Sequence, residues 1–183
     1  MSKRAPFQVL VLPYRRDGKD LRYAILRRRP NTGGYWQFVA GGGHLGETAV
    51  QAARREAFEE AGISRRARFI RLDSSATIPV DRLYGFRWGP DVLVIPEICF
   101  GVDVSDGEIR QSREHSDVRW VSYRSAMRQL HWDSNRTALW ELDLRLRRAF
   151  IEVAECGNRR AGASSDRRQH DSRRATTERG GHR

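Results

Sequence analysis

This sequence is poor in cysteine and proline and has no apolar run of membrane-spanning length, and each shortage excludes something. The two thiols, Cys99 and Cys156, stand alone with no paired spacing, so neither a zinc site nor a disulfide framework is indicated. That usage fits a reducing, cytoplasmic setting. No stretch approaches the roughly 20 apolar residues that a bilayer-spanning helix requires. The start, MSKRAPFQVLVLPYRR, is basic and then apolar, but Pro13 and two arginines cut the run short and no small-residue cleavage site follows. It reads as a first strand, not a signal peptide. No internal repeat is present. Hydrophobic residues make up only 39% of the 183, low enough to place part of the chain outside a packed core.

That part is the end. From Cys156 to Arg183 the chain carries eight arginines, three acids and no large apolar side chain, hence nearly half of the +11 formal charge. The expectation is one folded domain over 1–155 followed by a disordered, Arg-rich tail over 156–183. A basic surplus draws polyanions. Two readings of the tail stand, a solubilising extension and a weak, nonspecific contact with nucleic acid, and neither defines the function.

Before the tail, hydrophobic patterning alternates between strands and helices. FQVLVLPY (Phe7–Tyr14) and LRYAILRR (Leu21–Arg28) read as a hairpin about Asp17-Gly18. YWQFVA is a short strand leading into Gly41, Gly42, Gly43 and Gly46, which are expected to allow a tight turn. A helix follows, started by a capping box at Thr48 and Gln51 and ended by Gly62. Strands are expected over Ala67–Val80, Asp91–Val104 and Ser116–Tyr123, with Pro96 marking a bulge or an edge. A short helix begins near Ser125. A longer one covers Ser134 to about Ala154, its buried side drawn by Leu139, Leu142, Leu146, Phe150 and Val153. This order predicts an α/β sandwich with a mixed sheet.

The first helix carries the chemistry. Val50, Ala53, Ala57 and Ala61 form one stripe, small enough to pack closely on a sheet, and Glu56, Glu59 and Glu60 form an adjoining arc at its margin. Two like charges ~6 Å apart at an effective dielectric of ~20 repel by on the order of 3 kcal/mol. A solvated acidic face would dissipate that cost. Three carboxylates at a packed edge call instead for a divalent cation, and hard oxygens select Mg²⁺ or Mn²⁺ over zinc. Glycines feeding such a helix, whose N-terminus favours anions, point to metal-assisted phosphate chemistry.

These residues resemble the Nudix box: Gly41, five residues, Glu47, seven residues, Arg55-Glu56, an aliphatic position, one residue, Glu59-Glu60, one residue, Gly62-Ile63. The departure is Ala57, smaller than the usual aliphatic residue. The resemblance implies a Nudix-type α/β/α sandwich that hydrolyses a diphosphate linked to another moiety with Mg²⁺ or Mn²⁺. It implies Glu56 and Glu60 as the best-placed metal ligands with Glu59 on the same cluster, Glu56 and Glu59 as catalytic acids of which Glu56 activates water in some members, and Glu47 with Arg55 as an orienting pair.

Three further patches, YWQFVAGGGHLGET, REHSDVRWVS and WDSNRTAL, together with LRRRP, are similar to bacterial dihydroneopterin triphosphate pyrophosphatases, also described as dATP pyrophosphohydrolases. That likeness implies Glu114, before His115, as a further metal ligand. Arg28 and Arg29 end a strand where their guanidinium groups suit phosphate. Trp36 is either core or a wall for a base. Ala40 and Gly41 border the phosphates, and Asn135 either borders the base or caps the last helix. The expected substrate is a nucleoside triphosphate or dihydroneopterin triphosphate. ADP-ribose, a dinucleoside polyphosphate and a non-catalytic nucleotide- or RNA-binding module are the alternatives.

Overall fold

The computed structural model describes residues 4–80, 87–105 and 107–150. The chain divides into two compact units, Met1–Asp143 and Leu144–Arg183. In the second, residues 144–150 are helical, and the tail over 156–183, with Cys156 and Val153, lies outside the described residues.

The first unit is built on one seven-stranded mixed sheet. Strands β1 (Arg4–Asp17) and β2 (Asp20–Arg28) form the expected hairpin, turning through Gly18 at φ 61°. Next come β3 (Trp36–Gln37), β4 (Val39–His44), the helix α1 (Ala49–Ala61), β5 (Phe69–Pro79), β6 (Val94–Asp103) and β7 (His115–Val121). Strand order is β3-β2-β1-β6-β5, with β4 paired to β1 and β7 to β2. The β1–β6 pair is parallel and the others antiparallel. Two helices close the unit: α2 (Tyr123–Gln129), capped by Ser122, and α3, which begins at residue 133. Ser122 starts α2 earlier than Ser125 would have. Among the described residues no helix is long and apolar enough to cross a membrane.

Side-chain alternation separates the two faces of the sheet. Val9, Val11, Leu26, Val39, Phe100 and Val102 share one apolar cluster with Ala52, Ala53, Ala57 and Ala61 of α1. Gly101 points the other way, and a Cβ there would stand 2.6 Å from Leu142 Cδ1 of α3. That face is tied to α3 by Tyr23, whose hydroxyl donates to Asp143 at 2.8 Å, and by Glu141, which accepts from the Asp73 and Ser74 amides. Leu139, Leu142 and Leu146 are buried as the helical spacing required, whereas Phe150 is exposed.

The structure corrects the expected turn at Gly41, Gly42 and Gly43, and keeps it at Gly46. Gly41 and Gly42 belong to β4, registered opposite Val9 and Gln8 of β1, and the chain turns only afterwards, through Gly46 at φ 83°. Crowding, not turning, explains the absent side chains. A Cβ on Gly43 would overlap the Phe7 ring, and one on Gly41 would overlap the Glu56 carboxylate. Pro96 does stand at an edge: β1 pairs with β6 only from Glu97 onward, leaving Pro96 opposite Thr77 of β5 alone.

Candidate active site

Helix α1 begins at Thr48, whose hydroxyl accepts from the Gln51 amide while the Gln51 side chain accepts from the Thr48 amide. Gly62 ends it in the left-handed region at φ 68°. These two stops fix the phase with which the acids meet β4. Ala52, Ala53, Ala57 and Ala61 are fully buried, and their small size brings the helix backbone close to the sheet. Ala57, the departure from the box, is therefore a packing residue. Val50 lies off this face and is exposed.

The three glutamates do not share one environment. Glu56 and Glu60 are buried, at 8% and 6% exposure, inside the packed face and not at its margin. Glu59 faces outward, its side chain 50% exposed. Residues 56 and 60 are one helical turn apart, whereas 59 is rotated toward solvent.

Arg55 organises the cluster. Its Nε and Nη2 donate to the two oxygens of Glu47 at 2.9 and 3.0 Å, and Nη2 also donates to the Gly42 carbonyl at 2.9 Å. Nη1 donates to Glu56 Oε1 at 2.6 Å and Glu59 Oε2 at 3.3 Å. One guanidinium thus joins β4, the turn after it and both sides of α1, the geometry for which arginine and not lysine is suited. Hydrogen bonding from Arg55 holds the Glu47 carboxyl below the usual range, and the same contacts raise Arg55 above its own.

Glu60 has no such partner. Burial, then the charges of Glu56 and Glu114, push its carboxyl up to about 8, against the Ala40 amide and Arg28, which act the other way. Its Oε2 is out of water and without a hydrogen-bond partner, and so is Nε2 of His115, 3.9 Å away. His115 is wholly buried; burial and Arg28 lower its imidazole to about 4, so it is neutral near pH 7. Ser112 Oγ lies 3.2 Å from its Nδ1. Glu56 is also raised by burial, with Arg55 moderating the effect.

The donor set fits a hard divalent cation. Two carboxylates, Glu56 and Glu60, are buried on one side of α1, a glycine's missing side chain makes room for the first, and Oε2 of the second lacks any donor. Among the described residues no three His, Cys, Asp or Glu side chains stand close enough together to enclose an ion. Mg²⁺ does not demand that: it is commonly held by one or two carboxylates, with water and substrate phosphate completing the shell.

The remaining sequence-derived residues fall in different places. Arg28 donates to Glu114 Oε2 at 2.9 Å, and Glu114, 60% exposed at its side chain, lies at the rim and not against Glu56. Arg29 is exposed and donates to the Arg113 carbonyl. Trp36 is half-buried with the Arg119 guanidinium 4.8 Å from its ring centre. Ala40 and Gly41 are half-exposed in β4. Asn135 is buried, and its Oδ1 accepts from the Phe38 amide at 2.9 Å, tying the start of α3 to the β3–β4 junction. Sequence reasoning passed over His115 as a mere neighbour of Glu114; only the register that sets β7 beside β2 brings it to Glu60.

Comparison with known proteins agrees with this geometry. Residues 5–141 match the NUDIX domain family. A Listeria monocytogenes protein described as a NUDIX hydrolase has a similar solved structure, with 39% identity and a TM-score of 0.72 over 79% of this chain and 97% of that one. The dihydroneopterin triphosphate diphosphatase of Escherichia coli K12 is 31% identical over 73% of this chain and 89% of its own. An octanoyltransferase of Myxococcus xanthus is 33% identical over 65% of this chain, and the match spans only 31% of that protein's length. Box, fold and family match agree, as do the Listeria and Escherichia coli relatives, and the chain belongs to the NUDIX domain family.

Proposed function

We propose that this chain is a divalent-metal-dependent pyrophosphohydrolase that cleaves a (deoxy)nucleoside triphosphate or dihydroneopterin triphosphate to the monophosphate and pyrophosphate. The observation that carries the reading is the buried Glu56–Glu60 pair beside Gly41, with Glu60 Oε2 unpartnered. The E. coli relative's name supports the choice of substrate class.

In this reading Glu56 and Glu60 would hold Mg²⁺ or Mn²⁺, with Glu59 and Glu114 at the rim. When bound, the ion supplies Lewis-acid polarisation of the phosphoryl group and lowers the pKa of water. The protein supplies the rest. Arg55 fixes the Glu56 carboxylate through Oε1 and ties it to Glu47. Glu56, raised by burial, is the acid assigned to take the proton of the attacking water. Arg28, which ends β2, and Arg29, which follows it, are the groups assigned to neutralise charge growing on the departing pyrophosphate. Water adds to a bridged phosphorus, the anhydride P–O bond breaks, and its electrons leave with pyrophosphate.

A panel of dATP, dihydroneopterin triphosphate, ADP-ribose and a diadenosine polyphosphate, assayed with Mg²⁺ and Mn²⁺ and resolved by chromatography, tests this. Monophosphate and pyrophosphate from a triphosphate are expected. Cleavage of ADP-ribose or the dinucleotide alone would replace the substrate class. Hydrolysis of none, with RNA binding that falls steeply with salt, would make the domain a binding module.

A further inference from the structure

Glu97 is a buried carboxylate that the carboxylate helix does not explain. It lies in β6, between β1 and β5, at 4% exposure. Its Oε1 accepts from Gln8 Nε2 at 2.9 Å, and its Oε2 is shut off from water without a partner. The Ser134 side chain is near enough to favour the charged form, yet burial outweighs both neighbours and pushes the carboxyl up. Ser134 is not oriented to complete a hydrogen bond to Oε2. An unsatisfied buried acceptor is costly to a fold, and more so when charged. The fold gains nothing from that cost, since a glutamine at 97 could accept the same bond from Gln8.

The register shows what surrounds it. Gly42, Gln8, Glu97 and Ala76 form one row across β4, β1, β6 and β5. The adjacent row contains Gly41, where the Glu56 carboxylate rests. Alternation turns Glu97 away from Ile98, which packs on the α1 cluster, and toward the face that Gly101 presents to α3. Along this face Leu10, Leu12 and Cys99 are buried, but Gln8, Ala40, Ala76 and Ser134 are half-exposed. Small, half-exposed residues of the sheet and the first turn of α3 therefore surround this buried acceptor, on the face of the sheet opposite the one on which Glu56 meets Gly41.

We propose that Glu97 reads the ring of the substrate, accepting hydrogen bonds from an adjacent ring N–H and amino group, the 2-amino-4-oxo pyrimidine edge that pterins and guanine share. The inference rests on the pyrophosphohydrolase reading above. Carboxylates accept from such paired donors, whereas adenine sets an acceptor nitrogen beside its amino group and would bring lone pair against lone pair. A site built to satisfy donors rejects analogues that lack them far more strongly than an apolar pocket does.

The test compares wild type and Glu97→Gln, which keeps the shape and the Gln8 contact, on dihydroneopterin triphosphate, dGTP and dATP with Mg²⁺. Melting temperature serves as the fold control. Wild type is expected to prefer the first two, and the variant to lose roughly 10–100-fold in kcat/KM on them, mainly through KM, with dATP changed by less than about threefold. An equal loss on all three substrates, or no loss, overturns the proposal by leaving Glu97 a structural residue or an idle one. Equilibrium binding of the α,β-methylene analogues of dGTP and dATP gives an answer without turnover. If wild type hydrolyses none of the three, the function proposed above fails; if the two analogues also bind alike, or the variant loses nothing on the dGTP analogue, the ring assignment fails separately.

Discussion

Replacing Glu60 by Gln tests the buried acid at its most sensitive point. The folded carboxyl titrates at about 8, against 4.5 when unconstrained. Below pH 4.5 both states hold the proton and folding is unpenalised. As pH rises through 8 the unfolded chain has already released its proton, so the native state alone bears the strain of a buried acid, and stability is lost. At about 1.4 kcal/mol per pH unit, the loss reaches about 3 kcal/mol at pH 7 and about 5 kcal/mol above pH 9. For a domain of this size 3 kcal/mol shifts the melting temperature by roughly 6–12 °C. The assay is thermal unfolding from pH 5 to 9 in a chelator, for wild type and Glu60→Gln, then with Mg²⁺. The metal-free wild type should lose stability with rising pH while the variant stays flatter. Mg²⁺, which favours the ionised carboxylate, should restore wild type increasingly as pH rises and leave the variant unmoved, and the variant should lose most of its turnover. Parallel curves for the two proteins without metal would refute the reasoning, because Glu60 would then be neither strained nor in need of a cation.

Gly41→Ala places a methyl group on the Glu56 carboxylate; overpacking of this kind costs about 1–3 kcal/mol. It should lower the melting temperature by several degrees and weaken Mn²⁺ binding in calorimetry, and wild-type values for both would show that the cradle is slack. Arg55→Lys keeps the charge but gives up the fork to Glu47 and Gly42. A loss of about 1–3 kcal/mol in denaturant unfolding is expected, with a fall in kcat; unchanged stability and turnover would remove Arg55 as organiser. His115 titrates at about 4 when folded, against 6.5 when free. As pH falls from 6.5 through 4 the unfolded chain takes up the proton first, so about 3 kcal/mol of stability is lost on the acid side. His115→Gln should flatten that acid limb of the metal-free protein, and identical acid sensitivity would contradict the burial.

Much of this was legible along the chain because it depends on neighbours in sequence. Thr48 and Gln51 cap α1 three residues apart, Gly62 closes it, and the Arg55–Glu56–Glu59–Glu60 spacing is set by helical pitch. Local bonds and periodicity decide such features before any tertiary contact forms. The amphipathic spacing of Leu139, Leu142 and Leu146 likewise foretold a buried helical side.

Depth and partnership were not legible. A helical wheel placed Glu56, Glu59 and Glu60 on one arc, but only docking against β4 buried two of them and left the third in water. The four glycines read as a turn because glycine permits turns, and Gly46 does turn; Gly41 and Gly43 are strand residues that lack side chains because Glu56 and Phe7 occupy the space. His115 of β7 meets Glu60 of α1, and Glu97 of β6 meets Gln8 of β1, between elements far apart in the chain. The amino-acid order thus carried the local spacing of the acids and the ends of their helix, since bonds between near neighbours suffice for both. Which acids are deprived of water, and which buried oxygens lack a partner, was settled by long-range register and packing, because desolvation belongs to the assembled sheet and helix and not to any short segment.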